Sequence, residues 1–518
     1  MLPSFSRDWP AASLLLLVAA FVLPLWCVHS PGMPDYPAHV AGFHLILNQP
    51  PRSAYYTVHW LFVPNLASEL LVPLLAQLMP LETATKLFLS AAVALWVIGP
   101  ALIHRALFGR LGAAALVGGL FAYNANFMWG FLNYYFAAGL CLPVFAAWIA
   151  TRRRRNPLTL CAFAAAVFAL YVFHLFAVVL LLVCIGCFEL SAALEQRPWD
   201  LGRLGRRAMA VLAVFAPAAA AFLFFKSAGG ESGGIQFNYA DSLSDRVGSV
   251  AQWYFSEPAY LLIAGLAILV FAGLVYDRVR IHPGAKLLVV VLAVLAATAP
   301  EWALGGWGVD MRLPASLGAI AFASFELRLP RAALAAVAGA AVVVAIGNAA
   351  ATARDWSARD AQYREFRTAL RDVPLGTKMF TVLDGDALGD ISDQPYWHMA
   401  EFAIVDRGAF TSLMFATKGQ HVIQLRPPFG KYAAATAEQG TPPDATELSD
   451  LALGRDKDDP DIDEVFPYLK YFQCHFDMAV VVHGGGEQAD VPDFMSVRHA
   501  GSFFTIYDIH RTGICSSL

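Results

Sequence analysis

Asp35, Tyr36, His39 and His44 stand close together in the stretch MPDYPAHVAGFHLIL, directly after the first long apolar run of the chain. A carboxylate at a membrane mouth is costly unless water, a partner or a metal compensates for it. His39 follows Asp35 by one helical turn, so both can face one cavity. His39 and His44 are more than one turn apart. An Asp–His pair of this kind suits general-base work or coordination of a divalent cation. Asp35, with Pro37 near the first turn behind it, is equally an ordinary helix start signal. Spacing alone leaves both readings open.

The elements that must position these groups are set by composition. The chain has 518 residues, 58% of them hydrophobic and only 15% charged. Soluble domains carry about 45–50% apolar and about 25% charged residues. The chain therefore reads as a polytopic α-helical membrane protein. The formal net charge of −4 says little about partners, and no basic patch interleaved with aromatics points to nucleic acid. The first run, with Pro24, Trp26 and Cys27 at its end, makes a poor cleavage site and reads as a membrane anchor.

Spans of about 20 apolar residues fall near 11–28, 84–105, 111–128, 131–151, 158–173, 175–194, 207–225, 258–276, 285–300, 312–327 and 332–350. This makes about 11 transmembrane helices. The Lys/Arg clusters then share one side: Arg105 and Arg110, Arg152 to Arg155, Arg197 to Arg207, Arg278 to Lys286, and Arg328 with Arg331. Basic loops stay cytoplasmic, so the N-terminus is expected inside and the C-terminus outside. The outer side carries a long loop at about 29–83, a turn over 122–135, a loop at about 226–257 and the short 301–314. Leu66–Pro80, apolar but short and holding Glu69 and Pro73, reads as a juxtamembrane or re-entrant helix within the first loop.

From residue 352 the composition turns polar. The segment ATARDWSARDAQYREFRTALRDVP has helical periodicity, and short β-rich runs follow at 378–384, 401–406, 477–483 and 502–509. Residues 1–351 are expected to form a transmembrane domain, and 352–518 a soluble α/β domain. Cys474 and Cys515 both fall in that second domain. They suit either a disulfide on an oxidising side or two buried thiols.

An acidic residue in the first outer loop just after the first span, amphipathic helices in that loop, many spans and an outer C-terminal domain together resemble the GT-C superfamily. Its members are integral membrane glycosyltransferases that use lipid-phosphate-linked sugar donors. The resemblance implies a bacterial inner-membrane enzyme with a periplasmic C-terminal domain. It would move a sugar from a polyprenyl-phosphate donor to an envelope glycan, lipid or protein acceptor, among membrane lipids. Many GT-C members carry paired acids in this loop, whereas Asp35 is followed by Tyr36, Pro37 and His39. A requirement for Mg or Mn, with Asp35 as ligand, is therefore left open by the resemblance.

Such a transfer needs a base for the acceptor hydroxyl, positive charge for the departing phosphate, and a lipid groove. The resemblance assigns Asp35, with His39, to inverting base catalysis, since inversion needs one carboxylate opposite the leaving group. Arg is the natural phosphate ligand because its planar fork matches phosphate oxygens. Arg312 in DMRLP is the first candidate, then Lys226, Arg246 and His174. A snorkelling Arg312 paired with Asp310 is the alternative. Tyr36, His44, Tyr55, Tyr56, Asn133 and Trp307 are candidates for binding substrate, and the aromatics among them equally suit an interfacial belt. A transporter or flippase, and a non-catalytic envelope assembly protein, remain the other functional classes. No internal repeat favours transport.

Overall fold

The computed structural model describes residues 9–48, 53–60, 62–195, 200–227, 260–303, 306–388, 394–417, 419–435, 438–454, 462–484 and 490–516. Among them six helices are long and apolar enough to cross a membrane: Trp9–Cys27, Leu81–Phe108, Leu132–Ala150, Leu175–Leu194, Leu201–Phe224 and a last one beginning at Arg331. Three shorter apolar helices, Pro157–Phe173, Pro283–Thr298 and Arg312–Ala323, accompany them. The chain is a multi-pass helical membrane protein with a C-terminal sheet region.

Three of the expected elements differ. The apolar stretch 111–128 is not one span: it breaks into Ala113–Gly118, a 3-10 turn Gly119–Ala122 and Ala125–Trp129. Asn124 ends the turn and starts the next helix, its side-chain oxygen accepting from the amides of Asn126 and Phe127. A side chain that caps so well competes with a continuous helix. The run 401–406, expected as a strand, is the helix Phe402–Arg407, closed by Gly408 in the left-handed region at φ 62°. Short apolar runs do not separate strand from helix by pattern alone. The expected span 332–350 and the polar helix behind it form one continuous helix, Arg331–Ala369.

The chain divides into two compact units. The first holds residues 1–27, 62–68 and 86–353; the second holds 28–61, 69–85 and 354–518. Most of the first loop thus clusters with the C-terminal segment.

Within the first unit the helices run between two kinds of end. Leu175–Leu194, with 20 residues, is about 30 Å long. It starts at His174 and carries Glu189 near its last turns. At the Glu189 end the basic loops meet. Arg155 pairs with Glu189 at 2.9 Å, and Arg110 with Glu326 at 2.8 Å. Val279–Ile281 pairs antiparallel with Phe325–Leu327, and a small core of Ala114, Val279, Ala321 and Phe325 lies there. The His174 end gathers other loops: Leu66 N donates to Val172 O at 3.0 Å, and Leu175 N to Pro64 O at 3.1 Å. The separation of basic from non-basic loops read from charge is thus a feature of the packed unit.

The second unit is built on a five-stranded mixed sheet. Its order is Phe410–Thr411, Lys378–Leu383, Met478–Val482, Phe504–Ile509, Met495–Ala500. The first three strands are parallel and the last two antiparallel. Met478–Val482 is buried at every position, as expected for a central strand covered on both faces. Cys474 and Cys515 are joined by a disulfide. The first loop is hydrogen-bonded into this unit: Tyr56–Val58 pairs antiparallel with Ile423–Leu425.

Candidate active site

Asp35 sits at the start of the helix Tyr36–Leu47, but its side chain makes no capping hydrogen bond. The segment before it is held by Asp360, whose two oxygens accept from His29 N at 3.2 Å and Ser30 N at 2.9 Å. Gly32 permits this approach, since a Cβ there would lie 2.9 Å from Trp356. The helix itself packs on Phe402–Arg407 and on the turn Met399–Glu401. That docking brings His398 and Glu401 to Asp35.

The Asp35 carboxylate is 14% exposed, and its Oδ1 lies 3.9 Å from His398 Nε2. On the other ring face, His398 Nδ1 lies 3.7 Å from Glu401 Oε1. The imidazole is therefore held between two carboxylates at ion-pair rather than hydrogen-bond distance. His398 Nδ1 and Glu401 Oε2 are buried with no hydrogen-bond partner among the described residues. Burial pushes the Asp35 pKa up from 3.8 to about 6, with His398 pulling the other way. Burial also works against a charged His398, but the carboxylates of Glu401 and Asp35 outweigh it and hold the ring above its ordinary pKa. A carboxyl group tuned towards neutrality beside a titrating imidazole can accept and pass on a proton near pH 7.

Phe415 organises the neighbouring rings. His398 stands edge-on to it at 4.7 Å, His39 at 5.3 Å, and His421 stacks on it at 5.5 Å. Burial lowers the His421 pKa to about 4, so this ring is neutral at pH 7. His39 also lies 6.0 Å from Phe43. Tyr36 is fully buried, and its hydroxyl has no hydrogen-bond partner among the described residues. Burial raises its pKa. His44 contacts the Asn48 amide through Nδ1 at 3.3 Å, and burial lowers its pKa. Tyr55 donates to Gly376 O, and Tyr56 OH bonds the amide and carbonyl of Thr411 at 2.9 and 3.3 Å. Both tyrosine hydroxyls hold the first loop to the sheet region. Among the described residues no group of three or more His, Cys, Asp or Glu side chains is arranged to hold a metal ion.

Arg312 belongs to the other unit. It opens the helix Arg312–Ala323 and is 9% exposed. Its guanidinium carbon lies 5.5 Å from the Phe131 ring, 5.4 Å from Tyr134 and 4.9 Å from Phe176. Nε and Nη1 are buried without a hydrogen-bond partner among the described residues. Aromatic faces attract the cation, yet they supply no acceptor for its N–H groups. Asp310, two residues away, is buried as well. His174 lies edge-on to Tyr134 at 5.3 Å. Trp307 donates to Glu301 at 2.9 Å and stands edge-on to Trp129 at 5.1 Å.

Asn133 has a clear positional task. Its Oδ1 accepts from Ser68 N at 2.6 Å and Ser68 Oγ at 2.8 Å, and its Nδ2 donates to Asn65 O at 3.0 Å. Arg246 and the side chain of Lys226 lie outside the described residues.

His398 and Glu401 escaped the sequence reading. The only local signal was an i, i+3 His–Glu pair in a helical turn, which says nothing about a distant aspartate.

No protein-family model matches the chain, and no curated protein does. Among solved structures, the cryo-EM structure of the arabinofuranosyltransferase AftD from mycobacteria is similar at 16% identity and a TM-score of 0.48. The match covers 98% of this chain and 40% of that one.

Proposed function

We propose that the protein is a GT-C-type membrane glycosyltransferase. It moves a sugar from a polyprenyl-phosphate donor to a cell-envelope acceptor, with inversion, at the outer face of a bacterial inner membrane. The observation that carries this reading is the buried Asp35, with a pKa of about 6, set against His398 and Glu401. Asp35 takes the acceptor hydroxyl proton as the glycosidic bond forms. His398 tunes its basicity, and Glu401 keeps His398 charged. Arg312, whose Nε and Nη1 are buried without a hydrogen-bond partner among the described residues, is assigned the phosphate leaving group, because a planar guanidinium can offer a phosphate two parallel hydrogen bonds. His39 and the aromatic residues of the Phe415 cluster line the acceptor side. Asp35 serves as a cation ligand only if Mg or Mn is used, and the base role does not require it.

The test is turnover of a panel of radiolabelled polyprenyl-phosphate sugars by the purified protein in lipid. Release of polyprenyl phosphate that depends on acceptor and is lost in Asp35→Asn, with the folded protein intact, supports the reading. Undiminished turnover in Asp35→Asn would remove the base assignment, and inertness towards every donor would remove the enzyme class.

A further inference from the structure

Two rings beside the Asp35 row keep surface that no other side chain uses. Phe415 and His421 follow the strand Phe410–Thr411. The backbone sets His421: its N donates to Thr417 O at 3.1 Å, and two residues on, Ile423–Leu425 pairs with Tyr56–Val58. The planes of Phe415 and His421 are 9° apart and their centroids 5.5 Å apart. Full face-to-face contact would bring the rings to about 3.5–4 Å. The pair is therefore offset, and each ring keeps part of a face that the other does not cover. Both side chains are half-buried, and the Asp35 carboxylate is 14% exposed. Phe415 meets His398 edge-on at 4.7 Å, which ties this small platform to the catalytic row.

The charges around the platform limit what it can hold. The His421 ring has no hydrogen bond and no charged neighbour among the described residues, and burial alone lowers its pKa to about 4. A neutral imidazole offers one donor and one acceptor, which is what a hydroxyl group needs. Among the described residues His398 is the one cationic group that acts on Asp35, and it already stands between Asp35 and Glu401. An anionic ligand would bring a third negative charge with no free cation to meet it, which like-charge repulsion and desolvation both oppose. A cationic ligand would pair with Asp35 and lower the basicity that transfer needs. The electron-rich faces of the two rings suit the polarised C–H groups of a sugar.

We propose that Phe415 and His421 form the acceptor subsite and that its occupant is an uncharged sugar ring. The ring packs on the Phe415–His421 platform, a hydroxyl group bonds His421, and a second hydroxyl faces Asp35. The role of this subsite as an acceptor site rests on the transfer reaction proposed above.

The test is saturation-transfer-difference NMR of the purified full-length chain in lipid nanodiscs, with no donor present. The probes are a panel of neutral methyl glycosides and the methyl glycosides of the matching uronic acids. At least one neutral glycoside should bind, and its uronic acid counterpart about tenfold more weakly. His421→Ala should weaken the neutral glycoside up to about tenfold, the size of one lost hydrogen bond. His421→Gln, uncharged and with a donor and an acceptor, should stay within about threefold of wild type. His421→Lys should turn the preference towards the uronic acid, a change that a merely structural role would not produce. Lys418 falls between the two rings in sequence and outside the described residues, and Lys418→Gln should leave the preference in place. Asp35→Asn should still bind the neutral glycoside, so an inert enzyme and a missing acceptor subsite give different results. Binding of no neutral glycoside, equal binding of both kinds, or binding indifferent to His421→Ala would overturn the proposal. If His421→Ala does not fold, the wild-type preference and His421→Gln decide.

Discussion

His398 Nε2 lies 3.9 Å from Asp35 Oδ1, joining a residue of the first loop to one from the C-terminal segment. Glu401 completes the row at 3.7 Å from the other ring nitrogen. Order in this row sets the chemistry: the imidazole feels two carboxylates, while Asp35 feels one cation and a buried environment.

Asp35→Asn should abolish transfer while stabilising the fold at neutral pH. Removing a general base costs about 10²–10⁴ in rate. The folded-state pKa of Asp35 is raised from 3.8 to about 6. A raised pKa gives stability that is fully present below about pH 4 and lost as pH rises through about 6. At neutral pH the ionised group therefore costs about 3 kcal/mol. Thermal midpoints of the two proteins should coincide near pH 4 and separate in favour of the variant at pH 8. A variant less stable than wild type at pH 8 would contradict this.

The activity of the wild-type protein should rise with pH through about 6 as Asp35 loses its proton. The His398 cation pulls that pKa down, so His398→Gln should move the acid limb of kcat/KM to higher pH. A purely structural role for His398 would lower the rate without moving the limb. The pH profile distinguishes the two.

Arg312→Met should weaken use of the donor about 10²-fold or more, since two unshared charge-assisted hydrogen bonds are lost. Stability should hold or rise, because the substitution removes a buried charge whose Nε and Nη1 have no partner among the described residues. Arg312→Lys should not restore activity, as an ammonium lacks the planar fork. The measurements are donor KM and kcat alongside the thermal midpoint.

Asn133→Ala should lower stability by about 2–4 kcal/mol, because it leaves Ser68 N, Ser68 Oγ and Asn65 O without the side chain they bond. The thermal midpoint should fall while the pH dependence of any activity stays in place. A changed pH profile would mean that Asn133 acts on the titrating groups rather than on the loop.

Residue types alone singled out some of the candidates. Asp35 stood out because a carboxylate at the end of an apolar run is costly, and Arg312 because it begins an apolar helix beside Asp310. Tyr55 and Tyr56 illustrate the opposite. Their types suit sugar stacking, yet their hydroxyls are spent on Gly376 and Thr411. Whether an aromatic residue faces ligand or backbone depends on what packs over it, and composition does not record that. The run 401–406 became a helix because Gly408 could close it and because it packs against the helix Tyr36–Leu47, a partner from far along the chain.

The sequence by itself determined the membrane class, the gathering of basic loops at one end, the polar C-terminal region and the isolation of Asp35. These follow from local quantities: apolar run length, charge spacing and a shift in composition. Only the tertiary structure decided that Asp35 leaves its helix uncapped and meets His398, that Glu401 backs this histidine, and that Glu189 pairs with Arg155. Apart from the local His398–Glu401 pair, these outcomes bring together side chains from segments far apart in the chain. Their energy depends on burial and distances of a few ångströms, which exist only after the helices have docked.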